Sequence, residues 1–365
     1  MLGPQLQWVE RDYVLVDGKK LLYLAGIDYH RMSSHPLVTQ AAAEAAERYG
    51  LSPTGSRMTT GNHILYAELE RAVADFAGSE QAVVNPSGYL SNTILLQAIA
   101  KDFDAFFIDN QAHSSLADAA RQLDQALFPF EHMDAQNLAD LLRENLSGNA
   151  RPLVLTDGVF PAMGDMAPLK NYAELLEPYG GKILVDDAHA IGMIGPSGKG
   201  SAEAQGLHHD EYYQTGTLSK AFGVAGGVIP ADRDIIERIH ACSMAFVGCT
   251  GLALPLAAAA IKAVSHLAAN KHLITDLQER ALALKSRFRD IGFSMPETPV
   301  PILSITYHDA EKNDRLRGLL LQNNIYPPFI NYPGAPTGGH FRFILTSSTT
   351  QEQEDLLFEA VKSSL

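Results

Sequence analysis

Lys182-Ile183-Leu184-Val185-Asp186-Asp187-Ala188-His189 reads as a buried strand that ends in two acids and a histidine. The run Ile183, Leu184, Val185 is apolar without alternation, as a strand covered on both faces should be. That favours a parallel α/β sheet. In open α/β sheets ligands bind beyond the carboxyl ends of the strands, which is where Asp186 and His189 fall. A carboxylate in such a place is costly unless it meets a positive partner. Asp187 has a simpler reading as a helix N-cap, and both readings can hold together.

The stretch Thr215-Gly216-Thr217-Leu218-Ser219-Lys220-Ala221-Phe222-Gly223-Val224-Ala225-Gly226-Gly227 sets one lysine in a small-residue, glycine-rich turn. A lysine that forms a Schiff base needs such a setting, because its amine must lose a proton and a bulky cofactor must approach the backbone closely. The hydroxyls of Thr217 and Ser219 are placed to hold an anion. The plainer alternative is a βα loop with a solvated Lys220. Taken with Asp186, the turn points to pyridoxal phosphate (PLP), whose protonated ring nitrogen is the positive partner a buried acid requires.

Working outward, strands are expected near residues 82–85, 105–108, 153–156, 183–186 and 224–229. Helices are expected over 35–49, 64–77, 89–100, 114–122, 134–144 and 171–179, and a buried helix within 251–264. This alternation predicts a mainly parallel sheet covered by helices. Beyond Gly292 the pattern changes to strand, helix, strand, helix (302–307, 310–323, 341–345, 352–362), a smaller α+β C-terminal lobe. A proline- and glycine-rich loop at 326–339 precedes the last strand. The expected division is an N-terminal segment 1–36 joining the small lobe, a large domain 37–270 and a small domain 271–365.

An ordered set of motifs runs through most of the chain: Gly55-Ser56-Arg57 with Gly61 and Leu69-Glu70; Ser87-Gly88-Tyr89 with Asn92; His113-Ser114-Ser115; Thr156-Asp157-Gly158-Val159-Phe160 with Gly164-Asp165; and the two stretches above. With them the chain resembles the α-oxoamine synthase family of fold-type I PLP-dependent transferases. The resemblance implies a cofactor site of Lys220, Asp186, His189, His113 on the ring face, and a phosphate site of Ser87, Gly88, Tyr89 and Thr217. It implies a homodimer in which Thr250 completes the partner's phosphate site, and Arg342 as the arginine that binds the substrate carboxylate. The residues alone leave plainer readings open: a Ser87 helix cap, a His113 capping segment, and Arg342 as a surface charge on an edge strand.

Several positions depart from the family. Tyr66 stands where a histidine is usual, and is the expected acid or hydrogen-bond donor there. Pro161 replaces a serine beside the cofactor's phenolic oxygen. Ile27-Asp28-Tyr29-His30-Arg31 replaces an Asn-Asp-Tyr-Leu-Gly pattern, Ala253-Leu254 replaces paired prolines, and His340 replaces an arginine. The segment before Asp28 is also shorter than usual. The expected catalytic group is Lys220, His189, His113 and Tyr66.

The implied activity is PLP-dependent condensation of an amino acid with an acyl thioester, on CoA or a carrier protein, with decarboxylation to an α-amino ketone. The departures lead us to expect poor use of pimeloyl-CoA. The alternatives are another PLP reaction on an amino acid (aminotransferase, lyase or racemase) and a non-catalytic protein on the same fold.

Composition sets the outer bounds. With 46% hydrophobic and 19% charged residues the chain reads as an ordinary globular protein. A net charge of −14, with no basic stripe, argues against a nucleic-acid partner. No apolar run suits a membrane span, and residues 1–14 lack a signal peptide's apolar core. Cys242 and Cys249 form no metal spacing or disulfide framework and read as small buried hydrophobes of a cytoplasmic enzyme. No metal is expected.

Overall fold

The structure is a computed structural model that describes residues 3–331 and 338–365. Three short strands come first: β1 (Gln7–Glu10), β2 (Tyr13–Val16) and β3 (Lys19–Leu22), an antiparallel sheet that the exposed, charged sequence does not announce. Helix α1 (Pro36–Tyr49) starts on His35, whose ring accepts from the Leu37 N–H, and stops at Gly50. Helix α2 (Ile64–Ala77) buries Leu65, Tyr66, Leu69, Val73 and Phe76 on one face and ends at Gly78, in the left-handed region that glycine accepts without strain.

The large unit then alternates: β4 (Gln81–Asn85), α3 (Gly88–Ile99), β5 (Ala105–Asp109), α4 (Ser114–Ala120), β6 (Ala126–Phe130), α5 (Ala135–Asn145) and β7 (Pro152–Asp157). A small hairpin, β8 (Val159–Phe160) with β9 (Asp165–Met166), leads to α6 (Leu169–Leu176). Next come β10 (Lys182–Asp186), α7 (Ser201–Gln205), β11 (Tyr212–Thr217) and β12 (Gly227–Ala231). The seven strands are ordered β4-β12-β11-β10-β7-β5-β6. Only β12 runs against its neighbours β11 and β4; the other pairings are parallel. The apolar centre of β10 is fully buried, because helices cover both faces of the sheet.

The strand expected at 224–229 begins instead at Gly227. Gly223 and Gly226 hold positive φ and the turn closes on itself, Leu218 N–H to Gly226 O at 2.9 Å and Val224 N–H to Leu218 O at 2.8 Å. Two strands of this seven-stranded sheet were not expected. β6 is an edge strand that carries Pro129, and β11 is rich in polar residues.

Helices α8 (Arg233–Cys242), α9 (Met244–Val247), α10 (Leu254–Ala269) and α11 (His272–Asp290) follow. The buried helix expected at 251–264 is α10, which carries Pro255 in its first turn, where a missing N–H costs nothing. The last elements are β13 (Ile302–Ile305), α12 (Ala310–Gln322), β14 (Phe329–Ile330), β15 (His340–Ile344) and α13 (Gln351–Lys362), with the antiparallel sheet β13-β15-β14. The N-terminal segment packs on this sheet: Leu22 N–H donates to Asn324 O at 2.7 Å, and Ile344 N–H to Leu24 O at 3.0 Å. Of the proline- and glycine-rich loop, residues 332–337 lie outside the described residues.

Neither cysteine is a buried hydrophobe. Cys242 is exposed at the end of α8, Cys249 is partly exposed, and both are free. Among the described residues no helix is long and apolar enough to cross a membrane, and no cluster of His, Cys, Asp and Glu could hold a metal ion.

Candidate active site

Three strand ends form the floor of the site. Asp157 of β7, Asp186 of β10 and Thr215 of β11 are register partners across the parallel ladder. Beyond them opens a cavity of about 190 Å³. Lys220, Asp186, His189, His113, Ser87, Gly88, Tyr89 and Thr217 all line it, with Ser115, Asp157, Val159, Pro161, Ala188 and Ser219. Eight of the residues expected to form one site are therefore together.

The lysine turn is built from β11. The Thr217 hydroxyl donates to Gly226 O at 2.8 Å, and the Ser219 N–H donates to Thr217 Oγ1 at 3.1 Å. Glycine is required at 223: φ is +63°, and a Cβ there would stand 2.3 Å from the backbone nitrogen of Ser33. The turn thus packs directly on the N-terminal segment. Burial lowers the Lys220 ammonium below the ordinary lysine range; Asp186 and Asp157 oppose that, and Arg342 adds to it.

Asp186 is held rigidly. Its Oδ2 accepts from Asn92 Nδ2 at 2.7 Å and its Oδ1 from the Ala188 N–H at 2.9 Å. Asn92 is fixed in turn by Thr215, whose hydroxyl donates to Asn92 Oδ1 at 2.6 Å. Asp157 accepts from the His113 N–H at 3.2 Å. Burial, then the neighbouring Asp186, pushes the Asp157 carboxyl well above the usual carboxylate range. His113 lines the cavity and also caps α4, its Nδ1 accepting from the Ser115 N–H at 3.3 Å, so its capping role does not take it out of the site.

His189 is bonded at Nδ1 to the hydroxyl of Tyr29, 2.8 Å away. Burial holds its imidazole well below the ordinary histidine range, with Lys220 and Arg342 adding to the effect. Asp187 points to the other side of the strand and caps no helix of its own. It accepts from Ser201 N–H at 3.0 Å and Gln214 Nε2 at 2.6 Å, and burial raises its carboxyl to about 6.

Three residues expected in the site do not line the cavity. Arg342 lies next to its wall, with Nη1 donating to the carbonyl of Pro161 at 3.3 Å. Thr250 is exposed and bridges Ser56. Tyr66 is fully buried in the core, and its hydroxyl donates to Leu252 O at 2.5 Å while Arg57 lies over its ring. Its spacing in the motif is as expected, but the side chain faces the α2–α10 core, and this geometry gives no support to an acid role for Tyr66 in the cavity.

The donor set fits pyridoxal phosphate. At one end a Cβ on Gly88 would lie 2.7 Å from Thr217 Cβ, so only glycine allows the start of α3 and the Thr217 hydroxyl to meet around an anion. At the floor, buried Asp186 forms no ion pair among the described residues, which suits a cationic ring nitrogen. Between them stands one lysine of lowered basicity.

Residues 19–361 match the family model described as aminotransferase class I and II. The chain belongs to that family. Within it, the chain is 32% identical over 358 residues to the 8-amino-7-oxononanoate synthase of Thermosipho melanesiensis, covering 98% of this chain and 90% of the relative. The serine palmitoyltransferase of Sphingomonas wittichii aligns with a TM-score of 0.90 at 27% identity, covering 98% of this chain and 90% of that one. A structure of SPT with a PLP internal aldimine aligns with a TM-score of 0.90 at 26% identity and the same coverage of both chains. The resemblance to the α-oxoamine synthases drawn from the motifs stands with these members of the aminotransferase class I and II family.

Asp157, Asn92, Thr215 and Tyr29 belong to the site and were assigned no role from sequence. Asn92 and Asp157 carried a signal, as the polar ends of recognised motifs. Tyr29 lies in the stretch that matches the family's Asn-Asp-Tyr-Leu-Gly pattern in part, but its contact with His189, 160 residues away along the chain, carried no signal.

Proposed function

We propose that this protein is a PLP-dependent C-acyltransferase that condenses an amino acid with an acyl thioester, with loss of CO2, to give an α-amino ketone. The observation that carries the reading is the convergence of Lys220, Asp186, His189 and His113 on one cavity whose end is closed by Gly88 and Thr217. The full-length likeness to 8-amino-7-oxononanoate synthase and serine palmitoyltransferase selects acyl condensation over other chemistries of the family.

In this reading PLP, when bound, supplies an electron sink for negative charge at the α-carbon of the amino acid. Asp186 keeps the ring nitrogen protonated. The N–H groups at the start of α3, with the Ser87 and Thr217 hydroxyls, hold the phosphate. Lys220 would hold the cofactor through Nζ and, as a free amine of lowered basicity, would take the α proton of the amino acid. His113 would hold the ring face, and His189 would hold the phenolic oxygen. Arg342, aimed at the cavity wall through Pro161, takes the substrate carboxylate in a two-point pair. The acyl donor is assigned to the neighbouring cavity walled by Trp8, Val9, Tyr23 and Ile27. That cavity shares Asp28 and Ser33 with the segment that packs on the lysine turn.

The same reading makes the protein a cytoplasmic homodimer divided as 1–36, 37–270 and 271–365. The large apolar side chains of Leu51, Met58, Ile64 and Met244 are exposed on the segments around Thr250, where a second copy would cover them and Thr250 would reach the partner's phosphate.

Borohydride reduction of the yellow protein, followed by peptide mapping, tests the assignment. The cofactor is expected on Lys220, and Lys220→Ala is expected to abolish CO2 release from an amino acid and acyl thioester. Modification of another lysine, or CO2 release that ignores the thioester, would remove the proposal.

A further inference from the structure

Tyr29 is fully buried, yet it belongs to the N-terminal segment and not to the sheet that builds the cavity. Its hydroxyl lies 2.8 Å from His189 Nδ1, with the two rings edge to face. Its backbone is pinned from the other side, where Ser347 N–H donates to Tyr29 O at 2.9 Å. Asp28 fixes the turn that follows, accepting from the N–H groups of Met32 and Ser33.

A neutral imidazole has one N–H and one bare nitrogen, and the hydrogen bond made by one nitrogen decides the state of the other. Both rings are neutral here. Burial pushes the Tyr29 phenol up and the His189 imidazole down. Two proton arrangements can then join them. If Nδ1 carried the proton, Tyr29 would accept, and its own buried O–H would have no acceptor among the described residues, at a cost of about 1–3 kcal/mol. If Tyr29 donates, Nδ1 is the acceptor and Nε2 carries the proton. We propose that Tyr29 is a positioning residue that fixes His189 as the Nε2–H tautomer, so that a hydrogen-bond donor and not an acceptor faces the cavity. An oxygen bearing negative charge requires such a donor. Pro161, which also lines the cavity, has neither an N–H nor a side-chain donor. The functional consequence rests on the PLP reading; the tautomer itself does not.

The experiment is heteronuclear NMR of the full-length protein carrying isotope-labelled histidine, stripped of cofactor and again loaded with PLP. The His189 signal is identified by its loss in His189→Asn. The expected wild-type pattern is a protonated Nε2 and a bare Nδ1 in both states. Tyr29→Phe, which removes only the hydroxyl, is expected to give mixed tautomers and to weaken PLP binding roughly two- to tenfold, with a shifted cofactor absorption band. A wild-type Nδ1–H signal, or a Tyr29→Phe protein with unchanged tautomer and band, overturns the inference. A tautomer that responds to Tyr29→Phe in a protein that binds no PLP upholds the positioning role and sinks the cofactor reading instead. Should Tyr29→Phe not fold, the wild-type tautomer decides alone.

Discussion

Asp157 and Asp186 stand in direct register at the ends of two adjacent parallel strands, both buried and both on the wall of one cavity. Two like charges so placed are not both stable, and the environment divides the roles. Asp186 has two short hydrogen bonds that suit a carboxylate, whereas burial, and then the neighbouring Asp186, push the Asp157 carboxyl well above the usual carboxylate range. Asparagine is nearly isosteric with a protonated aspartic acid. Asp157→Asn is therefore expected to leave PLP affinity within about threefold, while Asp186→Asn weakens it roughly ten- to a hundredfold, the worth of a charge-assisted hydrogen bond. Titration of PLP absorbance measures both, and equal losses would show that Asp157 is also charged.

Arg342 lies on β15 opposite Ser304 of β13, and both reach the turn at 161–164: Arg342 donates to Pro161 O and the Ser304 hydroxyl to Ala162 O. Arg342→Ala is expected to weaken amino-acid affinity by roughly ten- to a hundredfold and to leave the PLP spectrum intact, since a bidentate carboxylate pair is worth about 1.5–3 kcal/mol. Arg342→Lys is expected to recover little, because a point charge does not reproduce the planar fork. Spectral titration with amino acids reads the affinity, and an unchanged value would remove Arg342 from the substrate site.

Much of this arrangement is legible in the sequence, and what is not has physical causes. β10 declared itself because helices bury both its faces, and its sequence is apolar throughout. β11 did not, because Gln214, Thr215 and Thr217 are buried polar residues that spend their hydrogen bonds on Asp187, Asn92 and Gly226. Polar content there marks a site and hides a strand. Tyr66 was misplaced for a different reason: motif spacing fixes a position along the chain, while side-chain direction is set by the helix face, and α2 turns this one into the core. Tyr29 was beyond reach because only tertiary structure brings it to His189.

The turn at 161–164 has a further support with a measurable signature. Lys285 of α11 is fully buried, its Nζ donating to Thr298 O at 3.1 Å and to Thr298 Oγ1 at 3.0 Å; the Thr298 hydroxyl in turn donates to Gly164 O at 2.6 Å. Burial lowers this amine from 10.5 to about 7. Between those values the unfolded chain binds the proton and the folded one does not, so stability rises with pH across that window and the contribution is lost as pH falls through 7. Lys285→Met is expected to flatten that rise by up to about 1.4 kcal/mol per pH unit. Urea denaturation of both proteins at several pH values within the window measures the difference, and parallel curves would mean that Lys285 stays charged when folded.

In the proposed function the acyl donor enters the cavity of the N-terminal segment, and the charge balance of that cavity limits what the donor can be. Two arginines line it. Arg31 is already engaged, with Nε on Asp12 at 3.0 Å and Nη2 on Tyr23 O at 2.9 Å, which leaves Arg11 as the less committed cation among the lining residues. The walls are otherwise largely apolar or acidic: Trp8, Val9, Ile27 and Tyr23, with Glu10 and Asp28. Two arginines beside two acids, with Arg31 engaged by Asp12 and Glu10 by Lys20, leave no surplus of positive charge, and on a chain of net charge −14 such a lining is poorly suited to the several phosphate charges of free CoA. Recognition is therefore expected to fall on the acyl chain and the thioester arm. Acyl-pantetheine or acyl-carrier donors should match the corresponding acyl-CoA within about tenfold in kcat/KM, a difference of about 1.4 kcal/mol, with little dependence on salt. Trp8→Ala should raise KM for long-chain donors more than for short ones, because the lost wall is apolar. Pimeloyl-CoA with alanine should turn over slowly. CO2 release across a panel of donors and amino acids provides the measurement. Fast, salt-sensitive turnover with pimeloyl-CoA would show that the phosphates are bound after all and that the sequence departures are harmless variation.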